Sequence, residues 1–331
     1  MSPSPPPQPS SLKREGAKGS DFYNAPINKL LTITLVIFLG LFGLLIITEL
    51  SLKILLGLGN PIIYDSNPLY GFRPLPNQET KRFFGAKIKI NNLGLRAEAD
   101  WDSNPERKIL FLGDSVTWGG SRIDNQETFA HLAVKDLPQW QSGNGGVNAW
   151  GVENIYGLIV ESNFLPAGIY VTTLPEGDFY RGLTKIQGLP FYNVKPKYAL
   201  LELWYYLCNK QNDLRYQNWQ HYAHENLIEH VVRKAVKKLK EMDEFLKQRG
   251  CRHLIFITPY KNQVFENAPK DLMVNQLLTS SLQPIYILDK LRGMHLTDQD
   301  RIFYDRVHLD KLGHEIWGKI IGAEIKKLAL P

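Results

Sequence analysis

Apolar residues in this chain form two alternating patterns from about residue 107 onward. Short continuous apolar runs predict buried strands, and a spacing of three to four residues predicts helices. The predicted strands are residues 109–112, 140–147, 169–174 and 253–257. The predicted helices are residues 127–137, 152–163, 198–207, 228–249 and 309–328. Alternation of this kind predicts an α/β protein with a central parallel sheet between two layers of helices, a three-layer α/β/α fold.

The first 58 residues follow a different pattern. Residues 1–28 are rich in Pro, Ser and Gly without apolar periodicity, which predicts a disordered tail. Residues 30–48 contain no charge, and as a helix they would span about 28 Å at ~1.5 Å per residue, enough to cross a bilayer. We therefore predict an anchor helix over residues 29–58.

A cleaved signal peptide is the alternative for this segment. Its apolar run is longer than a usual signal sequence, and residues 49–53 continue the helix without a small-residue cleavage site, so an uncleaved anchor is favoured. Basic residues precede the uncharged span at residues 30–48 and, by the positive-inside rule, predict a cytoplasmic N-terminus and a catalytic domain on the outer, periplasmic or extracellular side. These residues are Lys13, Arg14, Lys18 and Lys29.

Residues 59–104 predict a β-rich lead-in segment between the anchor and the α/β domain at residues 105–331. Apolar and basic residues alternate over residues 87–90, and an Asn-Asn-Leu-Gly sequence at residues 91–94 is typical of a turn. Strand and hairpin pieces are therefore expected before the main sheet.

Composition limits the classes of function. With 331 residues and 44% hydrophobic content, the chain can form one α/β domain plus an appendage. The net charge of +6 comes from basic residues that are scattered or form one helix stripe, without a nucleic-acid-binding motif, so no nucleic-acid partner is expected. Cys208 and Cys251 are the only cysteines and are interpreted as two unrelated thiols.

Three residues near the two ends of the α/β domain suggest nucleophilic chemistry. Ser115 ends a Gly-Asp-Ser sequence that directly follows the first apolar strand, where a hydroxyl reaches the rim of the sheet. Such a hydroxyl needs a base to take its proton, and His308 with Asp305 three residues earlier supplies a base and the acid that orients it. His314 is a rival base, but it falls inside the predicted last helix without such an acid, which favours a packed histidine.

Residues 113–119 (Gly-Asp-Ser-Val-Thr-Trp-Gly) and the Asp305-x-x-His308 sequence resemble the first and last sequence blocks of the SGNH (GDSL-type) hydrolases. This family contains esterases, lipases and carbohydrate O-acetyl esterases, and the resemblance covers roughly residues 105–328. It implies a flavodoxin-like sheet and a catalytic triad of Ser115, His308 and Asp305. No metal or other cofactor is expected.

The resemblance also implies an oxyanion hole. Its donors would be the backbone N–H of Ser115, the N–H of Ala149 in a block at residues 144–151, and a side chain at Asp178. The family has a glycine where this chain has Ala149, and alanine is acceptable there if its φ is negative.

Asp178 is the larger departure, because the family has an asparagine at this position and an ionised carboxylate would repel an oxyanion. Four interpretations of Asp178 stay open: protonation by burial, pairing with Arg181, another role, or an N-cap of the next helix.

The sequence therefore predicts a membrane-anchored extracytoplasmic serine esterase that removes an acyl group, acetyl among the candidates, from a glycan or lipid. One alternative is an acyltransferase that passes the group to a sugar hydroxyl, with polysaccharide-synthesis partners. A catalytically weakened binding domain, suggested by Asp178, is the other alternative.

Overall fold

The structure is a computed structural model, and it describes residues 21–185, 193–217, 225–297 and 300–329. The predicted tail lies mostly outside the described residues. The chain divides into two compact units, Met1–Glu49 and Leu50–Pro331.

Helix α1 (Asp21–Leu56) begins eight residues before the predicted anchor and ends two residues before its predicted end. Its segment Lys29–Leu56 is long and apolar enough to cross a membrane, and none of its most apolar stretch is buried. By length, composition and position near the N-terminus, the segment fits either a membrane span or a signal sequence.

The β-rich lead-in consists of two antiparallel hairpins. Strands β1 (Tyr64–Asn67) and β2 (Gly71–Pro74) form the first, and β3 (Gln78–Arg82) and β4 (Ala86–Ile90) form the second. Alternate β4 side chains are buried, as the alternating sequence predicts, because strand side chains point to opposite faces.

The α/β unit is built on a parallel sheet of five strands in the order β6-β5-β7-β8-β9. These strands are β5 (Lys108–Gly113), β6 (Gln141–Asn144), β7 (Ile169–Pro175), β8 (Arg252–Thr258) and β9 (Ile285–Tyr286). Strand β6, which follows β5 in the sequence, pairs with one edge of β5, and the next strand, β7, pairs with its other edge. This is the flavodoxin-like strand order. In such sheets, sites lie at the carboxyl ends of the strands where the order reverses, here those of β5 and β7.

Helices cover both faces of the sheet, which confirms the three-layer α/β/α architecture. The described α-helices of this unit are α2 (Ser115–Trp118), α3 (Phe129–Leu132), α4 (Val152–Tyr156), α5 (Ala199–Gln217), α6 (Glu225–Gln248), α7 (Lys261–Phe265), α8 (Leu272–Ser281), α9 (Ile287–Leu291) and α10 (Lys311–Ala329). Alternate residues of β5 supply the two cores: Ile109 and Phe111 pack with α3 and α10, whereas Leu110 and Leu112 pack with α4, α6 and α8.

Most predicted elements are present, with shifted ends. The helix predicted over residues 127–137 is confirmed only as the four-residue α3, followed by turns. The helix predicted over residues 198–207 continues to Gln217 in α5. The sequence patterns gave no signal for α7, α8, α9 or β9, which are short.

Candidate active site

Ser115 is the first residue of α2, immediately beyond the carboxyl end of β5. Asp114 caps this helix, because its Oδ1 accepts from the Val116 N–H at 2.8 Å. A side chain at Gly113 would meet Thr117 and the carbonyl of Thr173, so only glycine lets the chain turn here. The end of β5, the turn at Gly113 and the cap formed by Asp114 together hold the Ser115 hydroxyl at the rim of the sheet.

The structure brings Ser115, His308 and Asp305 into one hydrogen-bonded row. Ser115 Oγ lies 2.8 Å from His308 Nε2, and His308 Nδ1 lies 2.7 Å from Asp305 Oδ2. When Nδ1–H donates to the carboxylate, Nε2 is left as an acceptor for the serine proton. The arrangement can therefore move a proton from Ser115 to His308.

Asp305 is set up to stay ionised. Its Oδ1 accepts from the N–H groups of Val307 and His308, and its Oδ2 faces the imidazole. Partial burial acts to raise its pKa, but these hydrogen bonds outweigh burial and lower the pKa to about 2. The carboxylate is thus charged at neutral pH and stabilises a protonated His308.

The ring of Tyr304 packs on the imidazole of His308. Its ring is stacked on His308 with centroids 5.5 Å apart and planes 12° apart. The guanidinium carbon of Arg122 lies over the Tyr304 ring, 5.2 Å from its centroid. This stack limits rotation of the imidazole.

Ala149 lies on the loop after β6, next to the end of β5. The loop is fixed there because the Val147 N–H donates to the carbonyl of Gly113 at 3.1 Å. Ala149 is exposed, and among the described residues no group accepts from its N–H or from that of Ser115. Both N–H groups are therefore available to a ligand.

The backbone of Ala149 differs from the conformation that the sequence analysis required. Its φ is +61°, in the left-handed region, whereas a negative φ was the condition for accepting alanine. Left-handed geometry costs an L-residue about 1–2 kcal/mol, and glycine, which has no Cβ, would adopt this backbone conformation without that cost. Strain of this kind often persists where the backbone serves a function.

Asp178 is completely buried and faces Arg181. It lies inside a 3₁₀ helix, Glu176–Tyr180, whose N-cap is Pro175, so the N-cap interpretation of Asp178 is wrong. Arg181 Nη1 lies 2.6 Å from Asp178 Oδ1 and 3.5 Å from Asp114 Oδ2, and it donates to the carbonyl of Trp150. Of the interpretations of Asp178 that the sequence left open, the ion pair with Arg181 is present in the structure.

Burial and charge act on Asp178 in opposite directions. Burial has the largest effect and raises the pKa of this carboxyl, Arg181 lowers it, and nearby Asp114 raises it. The net result is a pKa well above the usual value of an aspartate. The charge of Asp178 in turn raises the pKa of Arg181. Arg181 therefore supplies the positive charge that two buried carboxyl groups share.

Several residues of this site were missed by sequence reasoning. Arg181 was considered only as a partner for Asp178, and Tyr304 was assigned no role, since neither position has a spacing signal. Arg96 of the lead-in segment is buried and donates to the carbonyls of Trp118, Gly120 and Ile123, which fixes the loop after α2. Only the folded chain brings Arg96 to this loop.

His314 is placed as the sequence predicts, in α10 and away from solvent. Its Nδ1 accepts from the Phe129 N–H at 3.1 Å, and burial lowers its pKa to about 3. It is therefore a packed, neutral histidine. Among the described residues, no group of three or more His, Cys, Asp or Glu side chains has an arrangement that could hold a metal ion.

Comparisons with known proteins found similar structures but no similar sequences. No family model matches the chain, and no curated protein matches its sequence.

Solved structures that resemble this one are described as lipolytic proteins and esterases. A lipase/acylhydrolase from Enterococcus faecalis is 14% identical, with a TM-score of 0.41 over 67% of this chain and 96% of that chain. A catalytic mutant of an acetylxylan esterase from Geobacillus stearothermophilus is 15% identical, with a TM-score of 0.40 over 67% and 95%. A member of the lipolytic protein G-D-S-L family from Veillonella parvula DSM 2008 is 12% identical, with a TM-score of 0.38 over 66% and 98%.

Likeness at these values assigns neither an activity nor a substrate to this chain. The fold class follows instead from the strand order and the two helical layers.

Proposed function

We propose that this protein is an SGNH-type serine esterase that cleaves acyl esters through an acyl-enzyme on Ser115. The observation that carries the proposal is the row of Ser115, His308 and Asp305, with distances of 2.8 and 2.7 Å. His308 takes the proton of Ser115 as Oγ bonds to the ester carbonyl, and it then gives that proton to the departing alcohol. A water molecule next attacks the acyl-enzyme as His308 takes its proton, and His308 returns this proton to Oγ of Ser115 as the bond between Oγ and the acyl group breaks and the acid leaves.

The backbone N–H groups of Ser115 and Ala149 form the proposed oxyanion hole. Each such donor, aimed at the developing negative charge, contributes about 3 kcal/mol to transition-state stabilisation. Asp178 does not act as the third donor in this proposal, because its carboxyl is buried and paired with Arg181. Arg181 instead keeps the two buried carboxyl groups beside the site from repelling the oxyanion.

The proposal also includes the cellular location of the protein and the class of its substrate. The apolar segment Lys29–Leu56 supports a membrane anchor. The basic residues that precede it favour a cytoplasmic N-terminus and an extracytoplasmic active site. The substrate class is an acylated glycan or lipid, and acetyl esters are among the candidates because the family that the sequence resembles includes carbohydrate O-acetyl esterases.

Product analysis tests hydrolysis against transfer. The full chain in detergent micelles should release free acetate from p-nitrophenyl acetate and from an acetylated oligosaccharide, and Ser115→Ala should release none above background. Accumulation of an acylated sugar instead of free acid would mean that the protein is an acyltransferase. If wild type and Ser115→Ala both release acetate at equal rates, Ser115 is not the nucleophile.

A further inference from the structure

Arg181 contacts both loops whose backbone N–H groups form the proposed oxyanion hole. Its Nη1 donates to the carbonyl of Trp150 at 3.0 Å, and Trp150 directly follows Ala149 in the sequence. The same nitrogen lies 3.5 Å from Oδ2 of Asp114, which directly precedes Ser115. Arg181 is therefore held beside the sequence neighbours of both proposed amide donors.

A single oxygen atom separates the guanidinium from the nucleophile. Asp114 Oδ2 lies 3.5 Å from Arg181 Nη1 and 3.2 Å from Ser115 Oγ. The oxyanion forms on the carbonyl carbon that bonds to Oγ, so it lies only two bonds away from Oγ. Arg181 is thus close to the position where negative charge develops during ester cleavage.

The Arg181 side chain is held in place by its surroundings. Asp178 Oδ1 lies 2.6 Å from Nη1. A Cβ at Gly151 would lie 2.8 Å from the Cβ of Arg181, so glycine at this position allows the close approach of the two segments. A donor that is already fixed stabilises a developing charge without a cost of reorganisation.

The guanidinium keeps donors that the fold does not use. Its contacts with Asp178, Asp114 and Trp150 all involve Nη1. Within the described residues, neither Nε nor Nη2 has a hydrogen-bond acceptor, and the Arg181 side chain is 30% exposed. The Asp178 side chain, three residues earlier, is completely buried. Of these two side chains, Arg181 is therefore the one that can reach a bound molecule.

We propose that Arg181 is a catalytic residue and that an N–H of its Nε or Nη2 is the third donor to the oxyanion, beside the amides of Ser115 and Ala149. The assignment rests on the proposed esterase function. As Ser115 Oγ bonds to the ester carbonyl carbon, an electron pair of the carbonyl bond moves to its oxygen, and the guanidinium donates to that oxygen. The electron pair returns when the alcohol leaves, and Arg181 keeps its protons because a guanidinium stays charged in proteins. A charged donor also binds an anion more strongly than a neutral amide does.

Replacement of Arg181 by lysine separates this role from a structural one. The three acceptors around Nη1 are Asp178 Oδ1, Asp114 Oδ2 and the carbonyl oxygen of Trp150. A lysine ammonium has three N–H groups, and these acceptors can take all of them. Arg181→Lys therefore keeps a positive charge between the buried carboxyl groups and removes the donors that are left for the oxyanion.

We expect Arg181→Lys to lower kcat for p-nitrophenyl acetate by a factor of roughly 10² to 10³, the usual loss when one oxyanion donor is removed. The value of kcat/KM should fall by a similar factor, because the interaction is made only in the transition state. Steady-state kinetics of the full chain in detergent measures both. A wild-type kcat in Arg181→Lys would overturn the assignment. A raised KM with unchanged kcat would also overturn it, because that pattern indicates binding of the ground state.

Arg82→Lys is the matched control. Arg82 also pairs with a buried carboxylate, since its Nη2 lies 2.6 Å from Glu202 Oε1. The hydrogen bonds of its side chain within the described residues go to Glu202 and to the carbonyl of Gly57, not to the site. Arg82→Lys should keep kcat near the wild-type value at a temperature where near-UV circular dichroism shows both variants folded. Equal losses in the two variants would overturn the assignment, because disturbed ion pairs would then explain them.

A phosphonate adduct of the wild type gives a second test that needs no substitution. A fluorophosphonate bound to Ser115 places an oxygen where the oxyanion forms, and a crystal structure of the adduct shows the donors to it. We expect Nε or Nη2 of Arg181 within about 3.2 Å of this oxygen, together with the amides of Ser115 and Ala149. An oxygen bound by the two amides alone would overturn the role of Arg181 and leave the esterase function intact. A wild type that neither reacts with the probe nor cleaves an ester would instead contradict the esterase function, and the role of Arg181 with it.

Discussion

Replacement of His308 by alanine is expected to lower kcat/KM for ester cleavage by a factor of roughly 10³ to 10⁴. His308 is the only side chain in the row that both receives the Ser115 proton and returns it to the leaving alcohol. Without it, the serine hydroxyl is almost entirely un-ionised at neutral pH and attacks slowly. Steady-state kinetics on p-nitrophenyl acetate measures this loss.

His314→Asn is the matched control for His308→Ala. Asn places an oxygen near the position of the ring atom that accepts from Phe129, and His314 has no contact with Ser115 or Asp305. Its kcat/KM should stay within about threefold of wild type at a temperature where the variant is folded. A larger loss from His314→Asn than from His308→Ala would mean that the base is misassigned.

Arg181→Met is expected to lower the free energy of unfolding by about 3 kcal/mol at neutral pH. Removal of one partner of a buried ion pair leaves the other charge uncompensated, which typically costs 3–5 kcal/mol. Here Asp178 and Asp114 are both buried, and the 30% exposure of Arg181 favours the lower end of that range. Urea denaturation in detergent, followed by near-UV circular dichroism, measures the change.

The loss of unfolding free energy in Arg181→Met should depend on pH. Burial already raises the pKa of Asp178, and loss of the arginine charge raises it further. A carboxyl group with a raised pKa in the folded state contributes its full stability below its ordinary pKa and loses it as pH rises through the raised value. The loss in Arg181→Met should therefore be larger at pH 7 than at pH 4.

The double variant Arg181→Met/Asp178→Asn separates charge from packing. It removes one of the two uncompensated carboxyl groups and should recover part of the stability at pH 7. If the double variant is as unstable as Arg181→Met at both pH values, the cost comes from lost packing around Arg181 and not from buried charge.

Much of the fold was readable from the sequence because its signals are local. Residues 109–112 and 169–174 are continuous apolar runs, and both are buried strands at the centre of the sheet. The lysine-striped helix predicted over residues 228–249 is α6, within three residues at its start and one at its end. Short elements such as α9 were missed, since five residues are too few to show a period.

The residues of the candidate site likewise fall into those that have a local sequence signal and those that have none. Ser115, Asp305 and His308 lie in short motifs, so the sequence could propose them together, although nearly two hundred residues separate the first from the last. Other contacts join residues that are distant in the sequence, and no local pattern encodes them. Examples are the ion pairs of Arg181 with Asp178 and Asp114 and of Arg82 with Glu202. The left-handed backbone of Ala149 was likewise invisible, because alanine usually adopts a negative φ.

Covalent labelling of Ser115 tests the central claim most directly. The full chain in detergent is incubated with a fluorophosphonate probe, which reacts with activated serines, and the adduct is located by peptide mapping. We expect one adduct, on Ser115, that is absent from Ser115→Ala and forms at least 10³-fold more slowly in His308→Ala. An adduct on another serine, or equal labelling of wild type and His308→Ala, would contradict an activated Ser115 nucleophile.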